Sequence, residues 1–417
     1  MPHYHIWTIG CQMNKAESER LGSLLQQLGY QPTATTDEAD LIVLNSCVVR
    51  QSAEERVINK IKALEPLKQS RPALRLALTG CLVDSDLKAL KKRFPHVDYF
   101  FKPGEYPHWL AKTESAAILP EQPQISTFVP IIQGCNNFCS YCVVPYRRGR
   151  EKSRPVVEIV SEARELIKSG VKEIILLGQN VDSYGHELPG KPDLASLLHE
   201  LNNIEDLARI RFLTNHPKDM GDGLIGAIAQ LDKVCEQINL TVQSGDDEIL
   251  KAMRRDYTAG QYRRLVKRIR DIVPQIALST DVIVGFPSES EEQFRETAEL
   301  LRDLRFDSVH TAAYSPRPGT IAAREYEDNI PLATKKARLD TIEKLQEEIA
   351  AEVNAQFSGR ILEILVEGRK KGKWHGRSRN GKIVFSTSRD NLLGRLVKVR
   401  IVKTSPWSLQ GEIINGN

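Results

Sequence analysis

The chain has 417 residues, enough for two or three domains with a core each, and its 41% hydrophobic and 27% charged content is that of a globular protein, not of a disordered or membrane-embedded one. No apolar run approaches the length of a bilayer span and no export signal precedes the polar start MPHYH, so a cytosolic address is expected. The net charge of +4 hides an asymmetry: residues 355–417 carry 13 Lys and Arg against 4 Asp and Glu, a balance of +9 on an otherwise acidic body, which points to a nucleic-acid partner or, more plainly, to a soluble basic module.

Residues 5–9 read as a strand broken by Gly10 and Cys11, and Leu21, Leu24, Leu25 and Leu28 recur at helical spacing up to Gly29. The unit repeats. Residues 41–44 form a strand ending in Asn45, Ser46 and Cys47, and residues 74–79 one ending in Gly80 and Cys81. Alternating βα units predict a parallel, open α/β sheet, so all three thiols project from its carboxyl edge, where such sheets bind ligands. Read this way, Cys11, Cys47 and Cys81 make a three-thiolate site; the plainer reading is three buried small hydrophobes. Cys235, within LDKVCEQINL, has no such partners and reads as core.

Residues 114–126, with two prolines, read as a linker. Apolar strands at 128–133, 173–177, 209–213, 237–242, 277–284 and 308–314 then alternate with helices, which predicts a (β/α)6 partial barrel. Loops after barrel strands carry sites. Here they hold Cys135, Cys139 and Cys142 after the first strand, Gln179 and Asn180 after the second, and Gln243 and Ser244 after the fourth. Residues 332–356 read as a long charged helix, and short alternating segments at 361–366, 382–385, 396–402 and 411–414 as a small β-barrel. The expected domains are 1–115, 127–354 and 355–417.

The stretch QGCNNFCSYCVVPYRRGRE places Cys135, Cys139 and Cys142 within eight residues. Three cysteines on a [4Fe-4S] cube leave one iron open to a small molecule binding through oxygen and nitrogen. A zinc site would want a fourth ligand nearby, yet the nearest downstream histidine is His186; a disulfide suits neither the odd count of seven cysteines nor this spacing. The following Arg147, Arg148, Arg150 and Lys152 are either solvated surface charge or contacts for carboxylate or phosphate. In the tail, Arg369, Lys370, Lys371, Lys373 and Arg377 with Trp374 interleaved suit phosphate contacts and base stacking, or simply a solvated surface.

The C-x3-C-x2-C spacing resembles the signature of radical S-adenosylmethionine (SAM) enzymes. Together with IGCQMN at Ile9, LNSCVVR at Leu44, LTGC at Leu78, LLGQNVDSYG at Leu176, STDVIVGFP at Ser279, YSPRPGT at Tyr314 and a TRAM-like tail, it resembles the methylthiotransferase family over nearly the whole chain. Arg147 departs from the family's usual Thr, and Thr241 and Asp246 from its usual Pro and Ser around VQSG. The resemblance implies two [4Fe-4S] clusters, one on Cys135, Cys139 and Cys142 that coordinates SAM, and an auxiliary one on Cys11, Cys47 and Cys81. It implies that one SAM methylates cluster-borne sulfur while another yields the radical that takes hydrogen from C2 of an adenine. Gln179, Asn180, Gln243 and Ser244 are then expected SAM contacts, each otherwise a polar turn residue. No catalytic residue is expected beyond the cluster ligands.

GCQMN, VVPYRRGRE and GQNVDSYG are closest to the family branch acting on N6-isopentenyladenosine at tRNA position 37. Other branches act on threonylcarbamoyladenosine in tRNA or on a ribosomal-protein aspartate. Expected partners are tRNA, an electron donor and a sulfur source, with a monomeric chain and no membrane. A different class, a non-catalytic iron–sulfur protein that binds RNA, has the same cysteines and the same basic tail.

Overall fold

The alternation of short apolar strands with helices that begins at His3 builds, in the computed structural model of the protein, a five-stranded sheet. Its elements are β1 (His3–Thr8), α1 (Gln12–Gln27), β2 (Gln31–Pro32), β3 (Leu41–Ser46), α2 (Gln51–Ala63), α3 (Glu65–Ser70), β4 (Arg75–Gly80), α4 (Leu87–Arg93) and β5 (Tyr99–Phe100). The order is β2-β1-β3-β4-β5 with every pair parallel. Along β3 the faces alternate as a pleated strand requires. Leu41 and Val43 join the core containing Leu21, Leu24 and Leu25 of α1, while Ile42 and Leu44 join the core containing Val57 and Ile61 of α2. A strand covered on both faces belongs to a parallel sheet wrapped by its own crossover helices. The strand order reverses between β1 and β3, which opens a crevice at their carboxyl ends. The flanking β2 and β5, two residues each, are too short to leave a periodic signal in the sequence.

The described residues are 1–49, 51–83, 86–110, 119 and 123–414. Most of the expected linker, residues 114–118 and 120–122, and the domain limit at 115 fall outside them. Packing divides the chain into two units, the first comprising 1–123, 132–152 and 317–321 and the second 124–131, 153–316 and 322–417. The sequence suggests three domains; here the loop bearing Cys135, Cys139 and Cys142 groups with the N-terminal sheet, and the tail groups with the barrel.

The chain enters the second unit at β6 (Ser126–Pro130), and β7 (Ile132–Gln133), α5 (Val144–Arg148) and β8 (Lys152–Ser153) frame the cysteine loop. The barrel continues through α6 (Val156–Lys168), β9 (Glu173–Leu177), α7 (Leu194–Asn202), β10 (Arg209–Phe212), α8 (Asp222–Gln230), β11 (Gln237–Asn239), α9 (Asp247–Ala252), α10 (Ala259–Ile272), β12 (Ala277–Val284), α11 (Glu291–Leu304) and β13 (Ser308–Ala313). Parallel ladders join β6-β9-β10 and β11-β12-β13, and parallel bridges at Ile210–Val234 and Asn215–Leu240 connect the two groups. Six parallel strands in chain order, with no ladder from β13 back to β6 among the described residues, are the expected partial barrel.

After α12 (Ile321–Glu325) and the long α13 (Leu332–Ala355), the strands β14 (Ile361–Lys370), β15 (Lys373–Ser378), β16 (Ile383–Ser386), β17 (Leu396–Thr404) and β18 (Leu409–Ile413) close a barrel in the order β14-β15-β16-β18-β17. The sequence marks four of these strands. The fifth, β15, is the basic stretch KWHGRS, whose alternation is carried by Trp374, Gly376 and Ser378 turned inward. Two of the three inward residues are small or polar, so hydrophobicity alone does not announce the strand.

Candidate functional site

Each strand end of the first unit places its cysteine through a close backbone approach. A Cβ on Gly80, which has φ +90°, would lie 2.3 Å from the Ser46 carbonyl oxygen, and one on Gly10 would lie 2.8 Å from Cys47 Cβ. Only glycine lets these turns meet. Asn14, wholly buried on α1, then laces two of them together: its Nδ2 donates to the carbonyls of Ile9 (3.0 Å) and Ser46 (2.9 Å), and its Oδ1 accepts from Cys11 Sγ at 3.6 Å. Ser46 ties in the third, donating through Oγ to the Thr79 carbonyl (2.5 Å) and accepting from the Leu82 amide (3.1 Å), while the Cys81 amide donates to the Ser46 carbonyl (2.9 Å). Cys47 and Cys81 are buried and Cys11 is exposed.

The three thiols feel one another's charge. Burial pushes the Cys81 thiol up to about 11, with Arg148 pulling it down and Cys47 and Cys11 adding to the rise. Two buried arginines accompany them. Arg148 donates to Glu17 Oε1 at 2.5 Å and to Asn14 Oδ1 at 2.9 Å; Arg317, from the YSPRPGT segment, pairs with Glu54 at 3.0 Å and lies within the field of Cys47. Burial opposes the charge on Arg148, yet Cys81 and Glu17 more than restore it. Cations against a cluster of thiols favour thiolates, the form in which sulfur binds iron.

The loop after β7 is a local construction. The Cys142 amide donates to the Cys139 carbonyl (2.9 Å), the Cys135 amide to the Gly149 carbonyl (3.2 Å), and Glu151 grips Asn136 at its amide (3.1 Å) and side chain (3.0 Å). Gly134, at φ +83°, would carry a Cβ only 2.1 Å from the Arg150 carbonyl. Phe138 packs edge-on against Tyr146 and beneath the Arg150 guanidinium, 4.3 Å from its ring centre. The basic run therefore divides: Arg148 is buried, Arg150 covers an aromatic ring and Lys152 is exposed.

All seven cysteines are free thiols, and among the described residues no three His, Cys, Asp or Glu side chains surround a single ion. A cube spreads its three thiolates over three irons, so its demand differs from that of one zinc ion. Both triads suit it: each set of thiols is held by turns that admit no extra Cβ, with Cys11 exposed in one and Cys135 and Cys142 half-buried in the other.

At the carboxyl ends of the barrel strands burial works against charge on two side chains, Asp182 and His216. Asp182 accepts from Asn215 Nδ2 and from the His216 amide (3.0 Å), and burial pushes its carboxyl up to about 8. Burial, then Arg255 and Lys218, push His216 down to about 2. Asn180 donates to Asp219 at 2.6 Å and leaves its Oδ1 without a partner. Gln179 lies half-buried at the end of β9. Gln243 takes φ +75° where it bridges Val282 of β12, and the Ser244 hydroxyl turns to Thr297 at 3.3 Å. Sequence reasoning missed Asn14, Ser46, Asp182, Asn215 and His216. The signal available was Asn14 three residues after Cys11, on the same helix face as the thiol.

The amino ends of the strands are occupied differently. Glu173, which opens β9 and is fully buried, accepts from Arg211 Nε (2.7 Å), Arg377 Nη2 (2.5 Å) and Ser126 Oγ (2.8 Å). Arg209 and Arg211, opening β10, reach the carbonyls of Arg377, Ser378 and Arg379 on the small barrel, and Arg379 clasps Glu236 at 2.7 Å. Arg377, expected as a phosphate contact, has its charge paired with Glu173 and Glu367. Trp374, expected as a stacking platform, is 9% exposed and packs with Val366 and Leu392 while Arg369 covers its ring. Arg369, Lys370, Lys371 and Lys373 remain exposed at the β14–β15 hairpin.

Comparison with known proteins agrees with this architecture. The chain matches the uncharacterized protein family UPF0004 over residues 3–102, the Radical SAM superfamily over 129–301 and the TRAM domain over 355–414. It is 55% identical to a tRNA-2-methylthio-N(6)-dimethylallyladenosine synthase of Dehalococcoides mccartyi (strain CBDB1), over 100% of this chain and 99% of the relative. Proteins of the same description from Roseiflexus sp. (strain RS-1) and Thermoanaerobacter pseudethanolicus are 49% identical (98% and 89% covered) and 41% identical (99% and 93% covered). Among solved structures, the radical S-adenosylmethionine methyltransferase TsrM from Kitasatospora setae resembles the chain in fold, with a TM-score of 0.55 at 13% identity over 95% of this chain and 83% of that one.

Proposed function

The chain belongs to the family of tRNA-2-methylthio-N6-dimethylallyladenosine synthases, and we propose from that premise that it adds a methylthio group to N6-dimethylallyladenosine (isopentenyladenosine) at position 37 of tRNA. It is a radical SAM methylthiotransferase, working with two [4Fe-4S] clusters and SAM. Cys135, Cys139 and Cys142 hold the cluster that takes SAM, and Cys11, Cys47 and Cys81 hold the auxiliary one. When bound, these groups supply the electron, the radical and the sulfur and methyl to be transferred. The chain's own residues position them and keep water out. The convergence of Cys11, Cys47 and Cys81 beside two buried arginines carries the reading, because a second three-thiol centre is what a sulfur-inserting enzyme adds to a SAM-cleaving one.

Gln179, Asn180, Gln243 and Ser244 meet SAM at the strand ends; the Asn180 Oδ1, which has no partner of its own, takes the ammonium, while the Ser244 hydroxyl also contacts Thr297. The neutral state of Asp182 and His216 supports an uncharged substrate. A prenyl group needs no charged partner, while the carboxylate of threonylcarbamoyladenosine calls for a cation, and Arg255 is already bound to Thr241 and Tyr257. Arg369, Lys370, Lys371 and Lys373 hold tRNA phosphates, which positions the RNA without selecting the base. An electron donor and a sulfur source serve the reaction in the cytoplasm, the chain acting as a monomer; no helix among the described residues is long and apolar enough to cross a membrane.

Nucleoside mass spectrometry of tRNA from a strain lacking the gene tests this reading. Loss of 2-methylthio-N6-dimethylallyladenosine with accumulation of its unthiolated precursor is expected. Persistence of that nucleoside, with loss of a methylthiolated threonylcarbamoyl one, would overturn the choice of substrate.

A further inference from the structure

Arg148 stands six residues past Cys142 and is delivered by the loop that carries the SAM-cluster thiols, yet its side chain ends beside Cys81 and Cys11. The side chain is 2% exposed. One edge of the guanidinium is fixed by Glu17, at 2.5 Å from Nη1 and 3.3 Å from Nη2; Nη2 also donates to Asn14 Oδ1 at 2.9 Å, the same oxygen that accepts from Cys11 Sγ. The guanidinium also hydrogen-bonds the Cys81 side chain. A buried cation is costly and persists only where it is paired and hydrogen-bonded. Arginine presents its five N–H groups in a rigid fork, so anchoring one edge on a carboxylate fixes the direction of the rest.

We propose that Arg148 is a positioning residue of the auxiliary cluster, which hydrogen-bonds the Cys81 thiolate, raises that cluster's reduction potential, and makes it depend on the loop that binds the other cluster. The proposal rests on the assignment of Cys11, Cys47 and Cys81 to a cluster. Hydrogen bonds to ligand sulfur and nearby positive charge both favour the more negative, reduced state. Glu17 is the counterweight: its carboxylate orients the guanidinium and cancels part of its charge. The two side chains therefore act on the potential with opposite signs. A purely structural ion pair has no such signature, because losing either partner would only weaken the fold.

Redox titration of the anaerobically reconstituted full-length protein, followed by electron paramagnetic resonance, separates these cases. A Cys81→Ala control identifies the auxiliary signal, and the response to added SAM marks the other. Arg148→Gln is expected to move the auxiliary signal to lower potential by a tenfold shift in the reduction equilibrium, about 59 mV for a one-electron couple. Glu17→Gln should move it upward, Arg148→Lys should fall between Gln and the native residue, and the SAM-responsive signal should stay in place. Where Arg148→Gln fails to assemble, Arg148→Lys and Glu17→Gln decide the question. An auxiliary potential unchanged in those two, with iron content whole, overturns the proposal, as does a shift of both in one direction. No tRNA enters these measurements, so a wrong target nucleoside leaves them standing. Absence of a second cluster in the unsubstituted protein would overturn both readings.

Discussion

The two cysteine triads solve one chemical problem by opposite means. Cys135, Cys139 and Cys142 share a loop whose own backbone and two aromatic rings hold it, so the site is nearly complete within twenty residues of sequence. Cys11, Cys47 and Cys81 come from three strands, and only the strand order β1-β3-β4 and the laces through Asn14 and Ser46 bring them together. A local site tolerates change elsewhere in the fold. A distributed one transmits every disturbance of its sheet to the metal, which makes the triads separable by experiment.

The largest effect should come from the compact triad. Replacing Cys135, Cys139 or Cys142 with Ala is expected to abolish reductive SAM cleavage, measured as 5′-deoxyadenosine, and to lower the iron content from roughly eight per chain to roughly four. Replacing Cys11, Cys47 or Cys81 should abolish methylthiolation of tRNA while cleavage persists; equal loss of cleavage would erase the distinction between the triads. Asn14→Ala asks whether the laces matter without touching a ligand. It strands the carbonyl of Ile9 and takes from that of Ser46 one of its two donors, which costs about 2 kcal/mol, and should empty the auxiliary site in iron analysis while sparing SAM cleavage. The smallest effect concerns neither triad. His216 is neutral in the fold because its folded-state pKa lies below the unfolded value, so its contribution to stability is complete above about pH 6.5 and is lost as pH falls from there toward 2. His216→Gln should therefore lose less melting temperature between pH 7 and pH 5 than the native protein.

This contrast also explains what was legible in the sequence. The strands at 173–177 and 277–284 are read residue for residue, the first because residues 174–177 are a buried apolar run, the second because apolar residues at both ends bracket its polar centre. The compact triad is legible from spacing alone. The distributed triad is legible because each cysteine follows a strand, but its laces are not, since an asparagine within GCQMN looks like any polar helix residue until β3 is placed beside it. The pairing of charges in the basic tail is hidden for a related reason. A count of charges registers Arg377 and Arg379 as free cations, whereas their counter-ions, Glu173, Glu236 and Glu367, lie in other segments of the chain.

Those ion pairs give ionic strength two different meanings on one small barrel. Glu173 is wholly buried with Arg211 and Arg377 against it, and dissolved salt screens such a cluster little. Arg369, Lys370, Lys371 and Lys373 face solvent, where counterion release makes phosphate binding fall steeply with added salt. Raising the salt should therefore strip RNA from the module while leaving the module seated on its barrel, so that product release becomes adjustable without any change in the protein's shape.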